Sequence, residues 1–297
     1  MTPMDRGVVR VIGEVMIDTV AITSDPIAWG SDTSAAIADH GGGSAANLAA
    51  WLAHLGADVE LIACVGMDAP GAYALEQLAS SGVGLRVRQS PDHPTGRCLV
   101  IVTPDGERTM LPDPGANLDL RPDDLACEAW SPSDHVHVSG YTLMRPRARD
   151  AALQGLVRAR ALGASISVDA SSSAPLRSSG ADMILRACQP GDLLFANADE
   201  AHALTDCTDP LRAAARLSDL GLVAVIKRGS AGALAAYANH CVEVPARPTR
   251  VVDSTGAGDA FAAGFIASWR SSGDLSAALV AATRLAARAV GQPGARP

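Results

Sequence analysis

Lysine is all but missing from this 297-residue chain: of 24 basic residues, Lys227 alone is lysine and the other 23 are arginine. That skew is compositional and carries no functional weight by itself. Positive charge is short overall, since 32 acidic residues leave a net charge of -8, and no basic footprint exists for nucleic acid or an anionic membrane. Aromatic residues are scarce (four Trp, three Tyr, three Phe), so platforms for stacking a base are few. The six cysteines, Cys64, Cys98, Cys127, Cys188, Cys207 and Cys241, stand singly, with no C-x-x-C and no paired spacing with histidine. They read as reduced thiols rather than a disulfide framework or a zinc site. The apolar run from Ala277 to Val290 is broken by arginines and too short to span a bilayer, and the opening "MTPMDRGVVRVIGEVMID" carries acids and a glycine where a signal peptide needs an apolar core. The expectation is a soluble, cytoplasmic protein.

Two nucleotide motifs are also absent. The first predicted strand ends in Val11-Ile12-Gly13-Glu14, one glycine where a dinucleotide fingerprint wants three, and no G-K-[ST] exists to make a Walker loop.

What is present is core-forming material: 48% hydrophobic against 19% charged residues. Runs rich in Val and Ile predict buried strands at Val8–Ile12, Val59–Val65, Val136–Ser139, Ala164–Val168, Leu193–Ala196 and Leu222–Ile226. Between them, helical periods predict helices at Ser44–Leu55, Pro70–Ser81, Arg147–Leu162, Asp182–Cys188 and Leu211–Leu220. Strand alternating with helix argues for an α/β fold with a mostly parallel sheet covered on both faces. Two segments break the rhythm. Val20–His40 is irregular and rich in small residues, and Leu85–Pro114 contains two strand-like runs around Pro104-Asp105-Gly106, a hairpin signal. They predict a subsidiary flap on a single domain spanning 1–297, not a second domain.

The densest chemical signal is "VVDSTGAGDAFAAGF", Val251–Phe265. A helix beginning near Ala257 would aim free N–H groups and the positive end of its dipole at a bound anion, and the glycines let the backbone come close. Asp259 then stands where a carboxylate can take a proton from a hydroxyl while those N–H groups stabilise the group being transferred, which suits phosphoryl transfer. The local alternative is a helix start in which Asp259 merely complements the dipole.

This stretch resembles the C-terminal signature of the PfkB carbohydrate kinases, with their ribokinase-like three-layer fold and small β lid. A second resemblance lies far upstream in "GGGSAANLAAWLAHLGADVELIACVG", with paired glycines, Asn47, Gly56 and Gly66 at the family's spacing. The resemblance implies an ATP-dependent kinase acting on a hydroxyl of a sugar or sugar-like acceptor. It implies Asp259 as general base, with Gly256, Ala257 and Gly258 as the anion hole. On the acceptor side it implies Asp18, Gly42, Gly43 and Asn47. On the nucleotide side it implies Asn197, Lys227, Gly229 and Thr255, with Glu200 of "NADE" near Mg²⁺ through water, and Asp253 near a monovalent cation such as K⁺. Capping of the following helix is the alternative for Asn197 and Asp199. Thr95, Gly96 and Arg108 of the flap fall near the acceptor, where Arg108 would meet an anionic substituent or, more commonly for an arginine on a hairpin, simply stand exposed. Thr283 stands where relatives often carry Asn beside the adenine. Ser44 and Ala46 depart from the G-G-K-G-A-N of ribokinase itself, which weighs against free ribose. A nucleoside acceptor stays open, as does a non-catalytic nucleotide or sugar sensor, and lid segments at about 17–40 and 85–115 leave room for a homodimer. His135 and His137 share a strand face without a third ligand, so they read as structural or surface residues.

Overall fold

The computed structural model describes residues 7–105, 107–126 and 129–297; Gly106 of the expected hairpin turn and Cys127 lie outside them. Among the described residues the strands are β1 (Val9–Ile12), β2 (Met16–Thr23), β3 (Ala35–Gly42), β4 (Val59–Gly66), β5 (Gly84–Ser90), β6 (Gly96–Val102), β7 (Arg108–Asp113), β8 (His135–Ser139), β9 (Ser165–Asp169), β10 (Leu193–Asn197), β11 (Val223–Lys227), β12 (Ala233–Tyr237) and β13 (His240–Val244). Nine form one sheet in the order β13-β12-β11-β10-β9-β8-β1-β4-β5. From β5 to β11 every pairing is parallel, and β12 and β13 add an antiparallel edge. The central strands are buried on both faces, which is why they read as unbroken apolar runs rather than alternating ones.

Alternate residues feed two cores. Val11, Phe195 and Val225 face the cluster made with Trp51, Phe265 and Leu279, while Ile12, Leu194 and Ile226 face the one made with Leu156 and Leu217. The expected helices all form, each within a residue or so of the sequence bounds, and two long ones, Ala257–Ser272 and Leu275–Val290, close the chain. His135 and His137 are buried in β8, hydrogen-bonded to Ser165 and Ser167, and burial holds both imidazoles below the usual histidine range. They are structural.

The remaining strands form a small sheet, β3-β2-β6-β7. This corrects two expectations. Residues 20–40 are irregular only between 24 and 34, because both flanks pair as β2 and β3. The flap cannot begin at 85 either: β5 pairs with β4 at the edge of the large sheet, and the lid strands run instead from Met16 to Gly42 and from Gly96 to Asp113. Pattern alone misassigned β5 because an exposed edge strand looks like any half-wet strand. β2 and β6 pair in parallel, so the lid is a mixed sheet. Among the described residues no helix is long and apolar enough to cross a membrane.

Candidate active site

The carboxyl ends of the parallel strands gather polar side chains that their apolar bodies do not need. Glu14 follows β1, Ser139 ends β8, Asp169 ends β9, Asn197 ends β10 and Lys227 ends β11. Open α/β sheets bind ligands along this edge. Lys227 Nζ donates to Asp169 Oδ2 at 3.1 Å. Burial works against the ammonium, but Asp169, Glu200 and Asp259 outweigh it and hold Lys227 above its usual range, so it stays charged.

The glycine turn sits over this edge. The helix Ala257–Ser272 starts where the motif predicts, its N-cap is Gly256, and no side chain caps it; Ala257 N–H turns back to the Ser254 carbonyl at 3.4 Å, and the N–H groups of Gly258 and Asp259 are left to a ligand. Gly256 has φ of 72°, and a Cβ there would lie 2.4 Å from the carbonyl oxygen of Ala295. Glycine is required twice over, once for the left-handed backbone and once for the close approach. Gly258 is different: a Cβ would meet only the tip of Lys227, at 3.4 Å.

Asp259 projects from the first turn of that helix. Ser44 Oγ donates to its Oδ1 at 2.7 Å and Asn47 Nδ2 to its Oδ2 at 3.0 Å. Burial pushes the carboxyl up to about 7, against the pull of those two donors and of Lys227. A carboxyl poised there changes protonation near neutral pH, which is what a base needs.

Beside it lies the end of the cleft expected to take the acceptor. Asp18, on β2, is buried and has no hydrogen-bond donor on its carboxylate among the described residues; burial pushes it up to about 6. Gly42 makes room for it, since a Cβ there would stand 2.2 Å from Asp18 Oδ1. Gly43 has φ of 93° and abuts Glu14. Asp18, Gly42, Gly43 and Asn47 thus come together with Asp259, as expected. The sequence reading missed Arg296: its Nε donates to Asn47 Oδ1 at 3.1 Å and its Nη2 to the Gly42 carbonyl at 2.8 Å. It missed Ser44 as a donor to Asp259, and Asp169 too, where a buried parallel strand ending in an acid was the available signal.

On the other side of the turn is a cavity of about 540 Å³, lined by Lys227, Gly229, Ser254, Gly258, Phe261 and Thr283 among others, a size that suits a drug-sized or nucleotide ligand. Lys227, Gly229 and Gly258 therefore face it as expected, whereas Asn197, Thr255 and Gly256 do not line it. The Thr283 hydroxyl is spent on its own helix, on the carbonyls of Leu279 and Val280.

Arg108 departs from the expected contact with an acceptor substituent. Arg108 reaches back to the glycine turn, Nη1 to Thr255 Oγ1 at 2.7 Å and Nη2 to Asp253 Oδ1 at 2.8 Å, so its charge is committed there rather than to an acceptor substituent. Thr95 is bound to Asp68, and Gly96 packs against the Asn117 amide. Both brace the root of the lid.

Asn197 and Glu200 close a capping box: the Asn197 side chain accepts from the Glu200 N–H, and the Glu200 carboxylate accepts from the Asn197 N–H and Nδ2, all at 2.7–2.8 Å. Each Glu200 oxygen keeps a lone pair, and burial raises the carboxyl. Among the described residues no cluster of three ligating side chains exists. That donor set fits Mg²⁺ held largely by water and phosphate oxygens, not an all-protein cage. Asp253, expected near a monovalent cation, is crowded on one oxygen and open on the other. Its Oδ1 accepts from Thr255 N, Thr255 Oγ1 and Arg108 Nη2, while its Oδ2 accepts from Gly294 N alone and keeps a lone pair.

The family profile described as pfkB family carbohydrate kinase matches residues 8–297. The chain belongs to the pfkB family of carbohydrate kinases. It is an ATP-dependent phosphotransferase with an alcohol group as acceptor, and its fold is ribokinase-like. Among curated relatives it is 38% identical, over 86% of this chain and 82% of the other, to the ATP-dependent ribose-1-phosphate kinase of Halopiger xanaduensis. Among solved structures, the adenosine kinase of Sinorhizobium meliloti superposes with a TM-score of 0.88 at 28% identity, covering 98% of this chain and 95% of that one. The aminoimidazole riboside kinase of Salmonella enterica, complexed with aminoimidazole riboside and an ATP analog, superposes with a TM-score of 0.80 at 28% identity, covering 97% and 95%.

Proposed function

We propose that this kinase phosphorylates a hydroxyl of a ribosyl compound, with Asp259 as general base. The observation that carries the reading is the position of Asp259: a carboxyl lifted to about 7, held by Ser44 and Asn47, at the mouth of an uncapped helix. The three relatives described above are all named for ribose-bearing compounds, which supports this acceptor class.

In this reading Asp18 and Asn47 hold acceptor hydroxyls, and Asp18 has the unpaired carboxylate to do so. Asp259 removes the proton from the attacking hydroxyl. The freed oxygen forms a bond to the γ-phosphorus of ATP as the bond to the β-phosphate oxygen breaks, yielding a phosphate ester, ADP and one proton. The N–H groups of Gly256, Ala257 and Gly258 stabilise the transferred group. Lys227 and Gly229 receive the nucleotide along the cavity, with Thr255 and Asn197 shaping the turn and strand end behind it. Mg²⁺, when bound near Glu200 through water, would neutralise charge on the phosphates. This reading does not depend on potassium, although Asp253 Oδ2 keeps a lone pair that a monovalent cation would use. The capped Asn197–Glu200 pair supports a positioning role at least as directly as a ligating one.

The test is ADP release from Mg-ATP with ribose 1-phosphate, adenosine, fructose and free ribose, run beside Asp259→Asn. Asp259-dependent turnover on a ribosyl acceptor supports the reading; turnover that survives in a folded Asp259→Asn protein sinks the base assignment.

A homodimer through the lid is part of the proposal. Ile37, Met110 and Leu111 on its strands are 68%, 53% and 55% exposed, an apolar surface that a second lid would cover. Light scattering should give twice the chain mass, and Leu111→Asp should return a monomer; a wild-type monomer at micromolar concentration would refute it.

A further inference from the structure

We propose that Arg296 is a positioning residue of the acceptor subsite, fixing the Asn47 amide against the base and setting a guanidinium between Asp18 and Asp259. The inference rests on the reading of this end of the cleft as the acceptor subsite.

Asn47 has one amide and two tasks. Its Nδ2 donates to Asp259, and it does so only if its Oδ1 points the other way, where Arg296 Nε meets it. Without that donor the amide is free to turn, and the base loses one of its two hydrogen bonds. Arg296 Nη2 fastens the carbonyl of Gly42, whose α-carbon faces the Asp18 carboxylate. One planar fork therefore spans both halves of the subsite, which an ammonium cannot do.

The segment that delivers Arg296 is itself nailed down. The Ala295 carbonyl accepts from Trp51 Nε1 at 2.9 Å, Gly294 N–H donates to Asp253, and the Arg296 carbonyl accepts from Gln292. Holding a guanidinium there is costly: burial drives it down to about 10, countered by Asp18 and Asp259. Its Nη1 is buried without a hydrogen-bond partner, and such a group in a folded protein calls for an explanation. Nη1 lies against Gly41, where a Cβ would come within 2.4 Å of it. The chain keeps a vacancy at 41 that the arginine tip fills. Because the obstructed atoms are the far end of a flexible side chain, Gly41→Ala displaces Arg296 without breaking backbone contacts.

The test is steady-state kinetics with ribose 1-phosphate and adenosine as acceptors, on wild type, Arg296→Ala, Arg296→Lys and Gly41→Ala. Hydrogen bonds to a charged group predict a fall in acceptor kcat/KM of about ten- to a hundredfold for Arg296→Ala, with KM for ATP changed less than about twofold. Gly41→Ala falls in the same direction by less, and Arg296→Lys stays nearer to Ala than to wild type. Guanidinium ion restores part of the Arg296→Ala rate, which a purely structural role would not allow. Acceptor kinetics unchanged in Arg296→Ala, losses equal for acceptor and ATP, or a full recovery with lysine would overturn the assignment. A wild type inert on both acceptors while active on fructose would instead strike the ribosyl reading and leave the Arg296 comparison to be read on fructose. Inertness on every acceptor would defeat the reading and the inference together.

Discussion

At the phosphate end of the cleft the chain presents backbone: a left-handed Gly256, an uncapped helix start and a glycine loop at 229. At the acceptor end it presents side chains, Asp18, Ser44, Asn47, Asp259 and Arg296, from β2, from the two helices that begin at 44 and 257, and from the segment after the last helix. Phosphate is common to every reaction of such a kinase, so a fixed backbone cradle serves. An acceptor differs from one kinase to the next, and side chains are what can differ with it. Asp259 belongs to both ends, since it rises from the phosphate helix and is held by acceptor-side donors. Its replacement by Asn should therefore do the most damage. General-base loss predicts a fall in kcat of about 10²- to 10⁴-fold, while ATP binding by titration calorimetry stays within about twofold. Equal loss of ATP affinity would mean that the two ends are not separable.

The same division explains what was legible beforehand. A backbone cradle needs glycines at fixed positions in one short stretch, so "STGAGDAF" made the turn and the helix start legible together and pointed to Asp259 as the candidate base. The parallel sheet was legible because strands buried on both faces are apolar runs. Asn47 was visible as part of a motif, but its partner Arg296 was not, because nothing in "GQPGARP" tells that its arginine returns to a helix at the opposite end of the chain. Ser44 looked like a departure from ribokinase and turns out to hold the Asp259 carboxylate. The lid boundaries failed for a related reason: whether a half-exposed strand joins the large sheet or the small one depends on its neighbour, not on its own residues.

The comparison is sharpened by two glycines of one turn. Gly256→Ala places a Cβ 2.4 Å from a backbone oxygen at a φ of 72°, so the turn must shift. Such strain costs about 1–3 kcal/mol, which predicts a KM for ATP raised about tenfold and a lower denaturant midpoint. Gly258→Ala meets only the Lys227 tip at 3.4 Å and lies in a helix, so the fold should keep its stability within about 0.5 kcal/mol. If both variants behave alike in chemical denaturation and ATP kinetics, the backbone cradle is not what makes this end of the cleft.

The smallest expected effect probes the place where the two ends meet. Asp259 must be ionised to accept a proton, and burial raises its carboxyl from 3.8 to about 7. Acceptor kcat/KM should therefore drop as pH falls through about 7, and again as Asp18, raised to about 6, takes up its proton. Ser44 and Asn47 lower the Asp259 value by donating to the anion, Lys227 lowers it by charge, and Asp169 raises it. Ser44→Ala removes one stabiliser of the anion, so the acidic limb should move to higher pH by less than about one unit, equivalent to less than about 1.4 kcal/mol. A limb near the ordinary 3.8 would mean that burial does not dominate the proton affinity of Asp259, and a Ser44→Ala limb displaced to lower pH would mean that the Ser44 donor does not stabilise its anion.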